Sequence, residues 1–147
     1  MRNSEVIKPV REIGVDASVP QVRFAARAHL WFNRMLLGGL AIQFYTIALT
    51  AMGVTGFTAH RYLGWSMIVV ALLSVFAASV TRMSLGALVL PVLALALTVA
   101  QPVLASIPRS VFPLIYALHG MNAVLLVVLA LRVDKRARTL VQQLIDR

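Results

Sequence analysis

Residues 65–100, WSMIVVALLSVFAASVTRMSLGALVLPVLALALTVA, decide the fold of this chain. They contain two apolar runs separated by the polar hexapeptide TRMSLG at 81–86. With the apolar residues that continue them, to about 62–81 and 85–106, both runs are long enough to cross the roughly 30 Å hydrocarbon core of a bilayer as helices. Because the connection is so short, the second helix must return beside the first. The stretch therefore predicts a transmembrane helical hairpin.

A further apolar run lies on either side of this hairpin, which gives four spans at about 35–53, 62–81, 85–106 and 111–131. The composition agrees, with 60% hydrophobic residues, 13% charged residues and a mean hydropathy of +0.85. The other two connections are nearly as tight. We therefore expect an all-α fold, an up-down-up-down four-helix transmembrane bundle over residues 29–131.

The positive charges predict the orientation of the bundle. Of the 14 Lys and Arg residues, all but Arg61 and Arg109 lie before the first span, between the second and third, or after the fourth. The positive-inside rule then places both termini in the cytoplasm. Topology signals and contacts with anionic membrane lipid account for the net charge of +9, so we do not expect nucleic-acid binding.

Two flanking segments complete the expected organisation. Residues 1–28 are predicted to form a cytoplasmic N-terminal arm that approaches the first span, and His29 at its end is expected to face solvent or headgroups. Residues 132–147 predict a basic amphipathic helix with one apolar face. This helix would lie on the membrane or pack against a partner, and the sequence does not choose between them.

Each span has one face of polar or small side chains at three- and four-residue spacing, and these faces include Ala71 in the second span, Ala94 in the third and Leu126 in the fourth. Small residues such as Gly64 are the usual material of close helix packing in lipid and need no further explanation. Polar residues within the spans are Gln43, Gln101, His119 and Asn122. Because polar and ionisable groups at membrane depth are costly, they favour a functional site.

His60 and His119 are the candidate ligands of a haem iron. Two neutral imidazoles from different helices can occupy both axial positions, which favours electron transfer over oxygen chemistry. Small side chains beside them would leave room for a planar macrocycle. Arg61 and Arg109, on the outer side, are either propionate partners or ordinary loop cations. The absence of cysteine excludes thiolate ligands.

The expected heights of the two histidines disagree. His60 lies 22 residues from Arg82, or about 33 Å of helix, whereas His119 lies 13 residues from Arg132, or about 20 Å. A difference of about 13 Å is too large for one flat haem, unless Arg132 protrudes beyond the membrane or the second span tilts. Met67, two turns below His60 on the same face, is therefore the alternative second ligand.

Other chemistries have little support in the sequence. No Gly-rich phosphate loop, Ser-His-Asp set or HExxH motif is present. The carboxylates are all expected in the cytoplasmic arms, which leaves no acid–base pair at membrane depth. They are Glu5, Glu12, Asp16, Asp134 and Asp146.

Four motifs carry a resemblance to known proteins. AIQFYTIALTAMG at 41–53, AHRYLGW at 59–65, Gln101 and ALHGMNA at 117–123 follow one another along the chain. In this order they resemble a group of small four-span bacterial membrane proteins, which implies the bacterial inner membrane. The chain is also similar to one four-helix half of haem A synthase, whose halves each place a histidine at the outer start of the second helix and another in the fourth.

The resemblance to haem A synthase implies haem ligation by His60 and His119. The catalytic half of that enzyme has a glutamate three residues before the first of these histidines, whereas this chain has Phe57 there. A non-catalytic b-type haem is therefore expected rather than haem hydroxylation.

We expect a single-haem cytochrome b-like membrane protein that exchanges electrons with a quinone or a partner redox protein. Gln43, Gln101 and Asn122 would line the haem, and a homo-oligomer is compatible with this function. The alternative is a cofactor-free scaffold or accessory subunit, in which the polar residues form only interhelical hydrogen bonds.

Overall fold

The computed structural model describes residues 20–108, 110–111 and 114–146 of the chain. Within these residues the fold is all-helical and consists of four α-helices: α1 (Pro20–Ala51), α2 (Thr58–Val80), α3 (Leu85–Ser106) and α4 (Ile115–Ile145). All four are long and apolar enough to cross a membrane, which confirms the expected class of a multi-pass helical membrane protein.

The helices contact one another in a ring. Each helix packs against its neighbour in sequence, and α4 closes the ring against α1. In the described part of the chain, α1 makes no backbone contact with α3, nor α2 with α4. These two pairs are therefore the diagonals of the bundle, and side chains from diagonal helices meet only at its centre.

The interior consists of the small and polar faces expected from the spacing. The main core cluster includes Leu36 on α1, Met67 and Ala71 on α2, Ala94 on α3 and Leu126 on α4. Apolar side chains on the outer faces, among them Leu72, Phe76 and Val89, remain exposed in the absence of lipid. This arrangement suits a lipid solvent, where close helix contact rather than hydrophobicity selects the interior residues.

The tight turn between α2 and α3 depends on a few local features. Arg82 has a φ of 54°, the left-handed conformation that reverses the chain direction in a short turn. Ser84 then caps α3, because its hydroxyl accepts a hydrogen bond from Ala87 N at 3.3 Å. The hexapeptide at 81–86 thus ends one helix and begins the next.

The first and last helices extend beyond the spans expected from hydropathy. The expected first span, 35–53, continues a helix that begins at Pro20. The expected last span, 111–131, continues without a break to Ile145. The C-terminal part of α4 packs on α1, through Val22 and Ala26 against Leu140 and Leu144.

Candidate functional site

His60 and His119 meet at the centre of the bundle. Their ring centroids lie 6.5 Å apart, with an angle of 61° between the ring planes. His60 is on α2 and His119 on α4, so the two rings approach across a diagonal of the bundle. The helices thus place two imidazoles from different chain segments face to edge in one small region.

The expected height difference of about 13 Å is therefore wrong. That count took Arg82 and Arg132 as markers of the same depth. The structure instead packs Met83, beside Arg82, against the cluster that contains Leu140 and Leu144 of the extended α4. Counted from Leu140, His119 lies 21 residues along α4, or about 32 Å, which matches the height of His60 above Arg82.

We call the part of the bundle around these rings the histidine end; it comprises residues 41–66, 99–108 and 114–121. Of its described residues only Ile115 is buried. Residues that face its interior, including both histidines, are half-buried. Since well-packed interiors bury their lining side chains, the histidine end is packed less tightly than the main core cluster.

Two residues of α1 hold His60. Gln43 Nε2 donates to the main-chain carbonyl of His60 at 3.0 Å. The Thr46 hydroxyl donates to the carbonyl of Gln43 at 3.0 Å, and its oxygen lies 3.3 Å from His60 Nδ1. Because the hydroxyl proton is committed to Gln43, the oxygen is free to accept from Nδ1–H. This hydrogen-bond chain suits a proton on Nδ1, which in the neutral ring leaves the lone pair on Nε2.

The Gln43 amide is fixed by the glycine opposite it. A Cβ atom at Gly64 would lie 3.1 Å from Gln43 Nε2, so only glycine allows this close approach without displacement. Gln43 Oε1 is buried and has no hydrogen-bond partner among the described residues. An unpaired buried acceptor is unusual and marks a position where a water or ligand donor would be stabilised.

Two contacts to α3 hold His119 and its helix. His119 Nδ1 lies 3.1 Å from the main-chain carbonyl oxygen of Gln101. One turn further along α4, the buried side chain of Asn122 donates to the carbonyl of Leu97 at 2.8 Å. Both rings thus form hydrogen bonds through Nδ1, and Nε2 is the nitrogen left to each for another partner.

The remaining candidate residues lie at different distances from this centre. Met67 is buried in the core cluster, where a Cβ atom at Gly39 of α1 would lie 3.3 Å from its sulfur. Arg61 is exposed in the first turn of α2. Arg109 lies outside the described residues. Among those that are described, no three His, Cys, Asp or Glu side chains come together as a metal site.

A second polar cluster, which the sequence analysis missed, lies toward the other end of the bundle. His29 is 2% exposed, so the prediction that it faces solvent or headgroups is wrong. Its Nδ1 lies 2.9 Å from the carbonyl oxygen and 3.0 Å from the hydroxyl of Ser74. Asn33, one turn along, is also buried and donates to the carbonyl of Ala130 at 3.0 Å.

Asp134 lies in the C-terminal segment of α4, beyond the fourth expected span. It is buried at the contact between α1 and α4, and its two carboxylate oxygens lie 3.3 Å from Arg34 Nε and 2.8 Å from Arg138 Nε. A buried carboxylate is tolerated because two cations compensate it. This group fastens α1 to α4 rather than forming an acid–base pair.

Comparison with protein-family models, curated proteins and solved structures gives no significant match. The resemblance to haem A synthase stays a prediction, and the geometry described above carries the functional argument.

Proposed function

We propose that this protein is a four-span membrane haem protein that holds a single haem b between His60 and His119 and transfers electrons. The observation that carries the proposal is the approach of these two imidazoles, 6.5 Å between centroids, from diagonal helices of the bundle. The packing of α2 and α4 does not require this approach, because their backbones do not touch.

The spacing suits two ligands of one iron. Imidazole nitrogens bind metals at about 2.0–2.1 Å, so two rings on opposite sides of one ion have centroids roughly 6 Å apart. The donor set also suits haem. Two histidines without a third protein ligand make an incomplete site for a bare metal ion, whereas a porphyrin supplies four further nitrogens.

The surrounding residues orient the two ligands. Thr46 fixes the ring of His60 through Nδ1, and the Gln101 carbonyl does so for His119. Partners at the second ring nitrogen set the tautomer and the basicity of a ligating histidine. Gln43 and Asn122 hold the adjacent helix segments, and Arg61 and Arg109 are the proposed partners of the propionates.

Haem held in this way supplies one-electron chemistry. Ligation by both histidines fills the iron's coordination sphere, which disfavours oxygen binding. Among the residues that the structure describes, the carboxylates Asp134 and Asp146 lie far along α4 from His119, so neither of them is an acid or base at the site. Electron exchange with a quinone or a partner redox protein is therefore the proposed activity, rather than hydroxylation.

The proposed setting is the bacterial inner membrane, with an up-down-up-down topology and both termini in the cytoplasm. The distribution of Lys and Arg along the chain supports this orientation. The histidine end then faces the periplasm. A single haem near one face does not carry electrons across the bilayer, so transfer to the other side requires a partner or a homo-oligomer.

One observation favours the second candidate function, a cofactor-free scaffold or accessory subunit. His119 and Asn122 both contact main-chain carbonyls of α3, which is the behaviour expected of purely structural polar residues in a membrane bundle. This function does not account for the approach of His60 to His119 or for the unpaired Gln43 Oε1.

Absorption spectra of the detergent-purified protein separate the two functions. We expect the wild type, expressed with added haem, to show sharp α and β bands after dithionite reduction. His60→Ala and His119→Ala should each abolish these bands, whereas Met67→Ala should retain them. His29→Gln is the matched control, because it changes the third histidine, which lies away from the site, and should leave the spectrum intact.

A colourless wild-type protein would favour the scaffold function. Loss of the bands in Met67→Ala and His119→Ala, but not in His60→Ala, would show that Met67 is the second ligand.

A further inference from the structure

The side-chain amide of Gln101 can face His119 in either of two opposite orientations. Exchanging the oxygen and nitrogen of its amide by a rotation of about 180° changes every contact it makes. The amide lies against His119 and against the backbone of α4 beside it. The proton on the imidazole decides which orientation is favourable.

In one orientation, the amide nitrogen faces the histidine. It then donates to His119 Nδ1 at 2.9 Å and to the His119 carbonyl at 3.3 Å, while the amide oxygen accepts from Ala123 N at 2.8 Å. These three contacts are favourable, and they require that Nδ1 carries a lone pair, so that the proton of the neutral ring is on Nε2. The bare Nδ1 then also faces the main-chain carbonyl oxygen of Gln101 at 3.1 Å, which is the one unfavourable contact in this orientation.

In the opposite orientation, the amide oxygen faces His119 Nδ1. Nδ1–H then donates to this oxygen and to the main-chain carbonyl of Gln101, 3.1 Å away. The amide oxygen, however, also faces the His119 carbonyl, and the amide nitrogen faces the N–H of Ala123. Both contacts are unfavourable, because one brings two acceptors together and the other brings two donors together. Only in this orientation does Nε2 carry the lone pair that a metal requires.

We propose that Gln101 is a positioning residue that sets the tautomer of His119. Without a ligand, its amide nitrogen holds the ring as the Nε2–H form. Rotation of the amide brings its oxygen to Nδ1; the ring then gives the Nε2 proton to a water molecule and takes up a proton from water at Nδ1, so that the Nε2 lone pair would be available to iron. The consequence for iron rests on the proposed haem function, whereas the tautomer in the free protein does not.

His60 lacks such a device. Its Nδ1 faces the Thr46 hydroxyl, whose proton is already donated to the Gln43 carbonyl. The Thr46 hydroxyl therefore offers only an acceptor to Nδ1. We expect the Nε2 lone pair of His60 to be available to iron without any rearrangement. For His119, we expect that the Gln101 amide must rotate first.

The test is ¹⁵N NMR of the full-length, haem-free protein labelled at histidine, with the His119 resonances assigned by their loss in His119→Ala. A protonated and a bare ring nitrogen have well-separated shifts. We expect protonated Nε2 in the wild type and protonated Nδ1 in Gln101→Leu, where only the main-chain acceptor remains. Gln43→Leu is the matched control and should leave the His119 tautomer unchanged.

The same tautomer in the wild type and in Gln101→Leu would overturn the inference. Haem titration adds a second comparison: removal of the competing amide should tighten binding about fivefold, the equivalent of one net hydrogen bond. A wild type that binds no haem refutes the proposed function and leaves the NMR comparison to decide the tautomer inference. Haem binding with an unchanged tautomer refutes the inference alone.

Discussion

The contact between Gly64 and Gln43 gives the sharpest test of the site's packing. A Cβ atom at Gly64 would lie 3.1 Å from Gln43 Nε2, whereas a Cβ atom at Gly120 of α4 meets nothing within 4 Å. Both glycines lie inside helices. Gly64→Ala and Gly120→Ala therefore differ mainly in whether the new methyl group displaces the amide.

The expected magnitudes follow from two opposing contributions. Replacement of glycine by alanine within a helix stabilises it by about 1 kcal/mol, and this should appear in full for Gly120→Ala. Gly64→Ala gains the same amount but forces the Gln43 amide to move by a few tenths of an ångström, which weakens its hydrogen bond to the His60 carbonyl. A net hydrogen bond contributes about 0.5–1.5 kcal/mol. We thus expect Gly64→Ala to be about 0.5–1.5 kcal/mol less stable than Gly120→Ala.

The assay is the free energy of unfolding in mixed micelles, measured by SDS titration with circular dichroism. The double variant Gln43→Ala, Gly64→Ala removes the displaced amide. In that background the Gly64 substitution should again stabilise by about 1 kcal/mol, which makes the two substitutions non-additive. Equal stability of Gly64→Ala and Gly120→Ala, or additivity in the double variant, would refute the packing described here.

Two further substitutions test the contact between α1 and α4 with the same unfolding assay. Asp134→Asn should destabilise the protein by about 1–3 kcal/mol because two arginines lose their counter-charge at a buried position, whereas Asp146→Asn, at the exposed end of α4, should change stability by less than about 0.5 kcal/mol. Leu144→Ala should cost about 2–3 kcal/mol if the C-terminal part of α4 packs on α1, and Ile145→Ala, exposed on the same turn, should be nearly neutral. Equal effects within either pair would contradict the intramolecular packing.

The sequence predicts the number and approximate position of the helices well. Apolar length alone identifies four spans, and the third is found with the expected bounds, Leu85–Ser106. The spacing of small and polar residues also predicts the interior: Ala71, Ala94 and Leu126 on the predicted faces are all buried. In a membrane bundle these faces are distinctive because close packing requires small residues.

The spacing of small and polar residues does not predict how far one helix is shifted along the bundle relative to another. Hydropathy predicts that the fourth span ends near Arg132, but α4 continues as a helix whose apolar stripe packs against α1. A charge on a long helix marks the membrane surface only if that helix ends there. The packing of Met83 against the cluster that contains Leu140 and Leu144 corrects the count, and tertiary structure alone supplies that contact.

The burial of His29 agrees with a periodic pattern in the sequence. Ala26, His29, Asn33, Leu36 and Leu40 recur at intervals of three and four residues, and all are buried. This stripe continues the interior face of α1 upstream of the apolar run. The nearby arginines and aromatic rings are typical of a membrane interface and favour a surface position for His29. They occupy the other faces of the same helix.

The most direct test of the central claim is the identity of the axial ligands in the haem-loaded wild type. Low-temperature electron paramagnetic resonance, combined with near-infrared magnetic circular dichroism, distinguishes two imidazoles from one imidazole and a thioether. We predict a low-spin ferric iron with the bis-imidazole signature, because His60 and His119 meet at the centre of the bundle. A histidine–methionine signature, a high-spin iron, or no bound haem would contradict it.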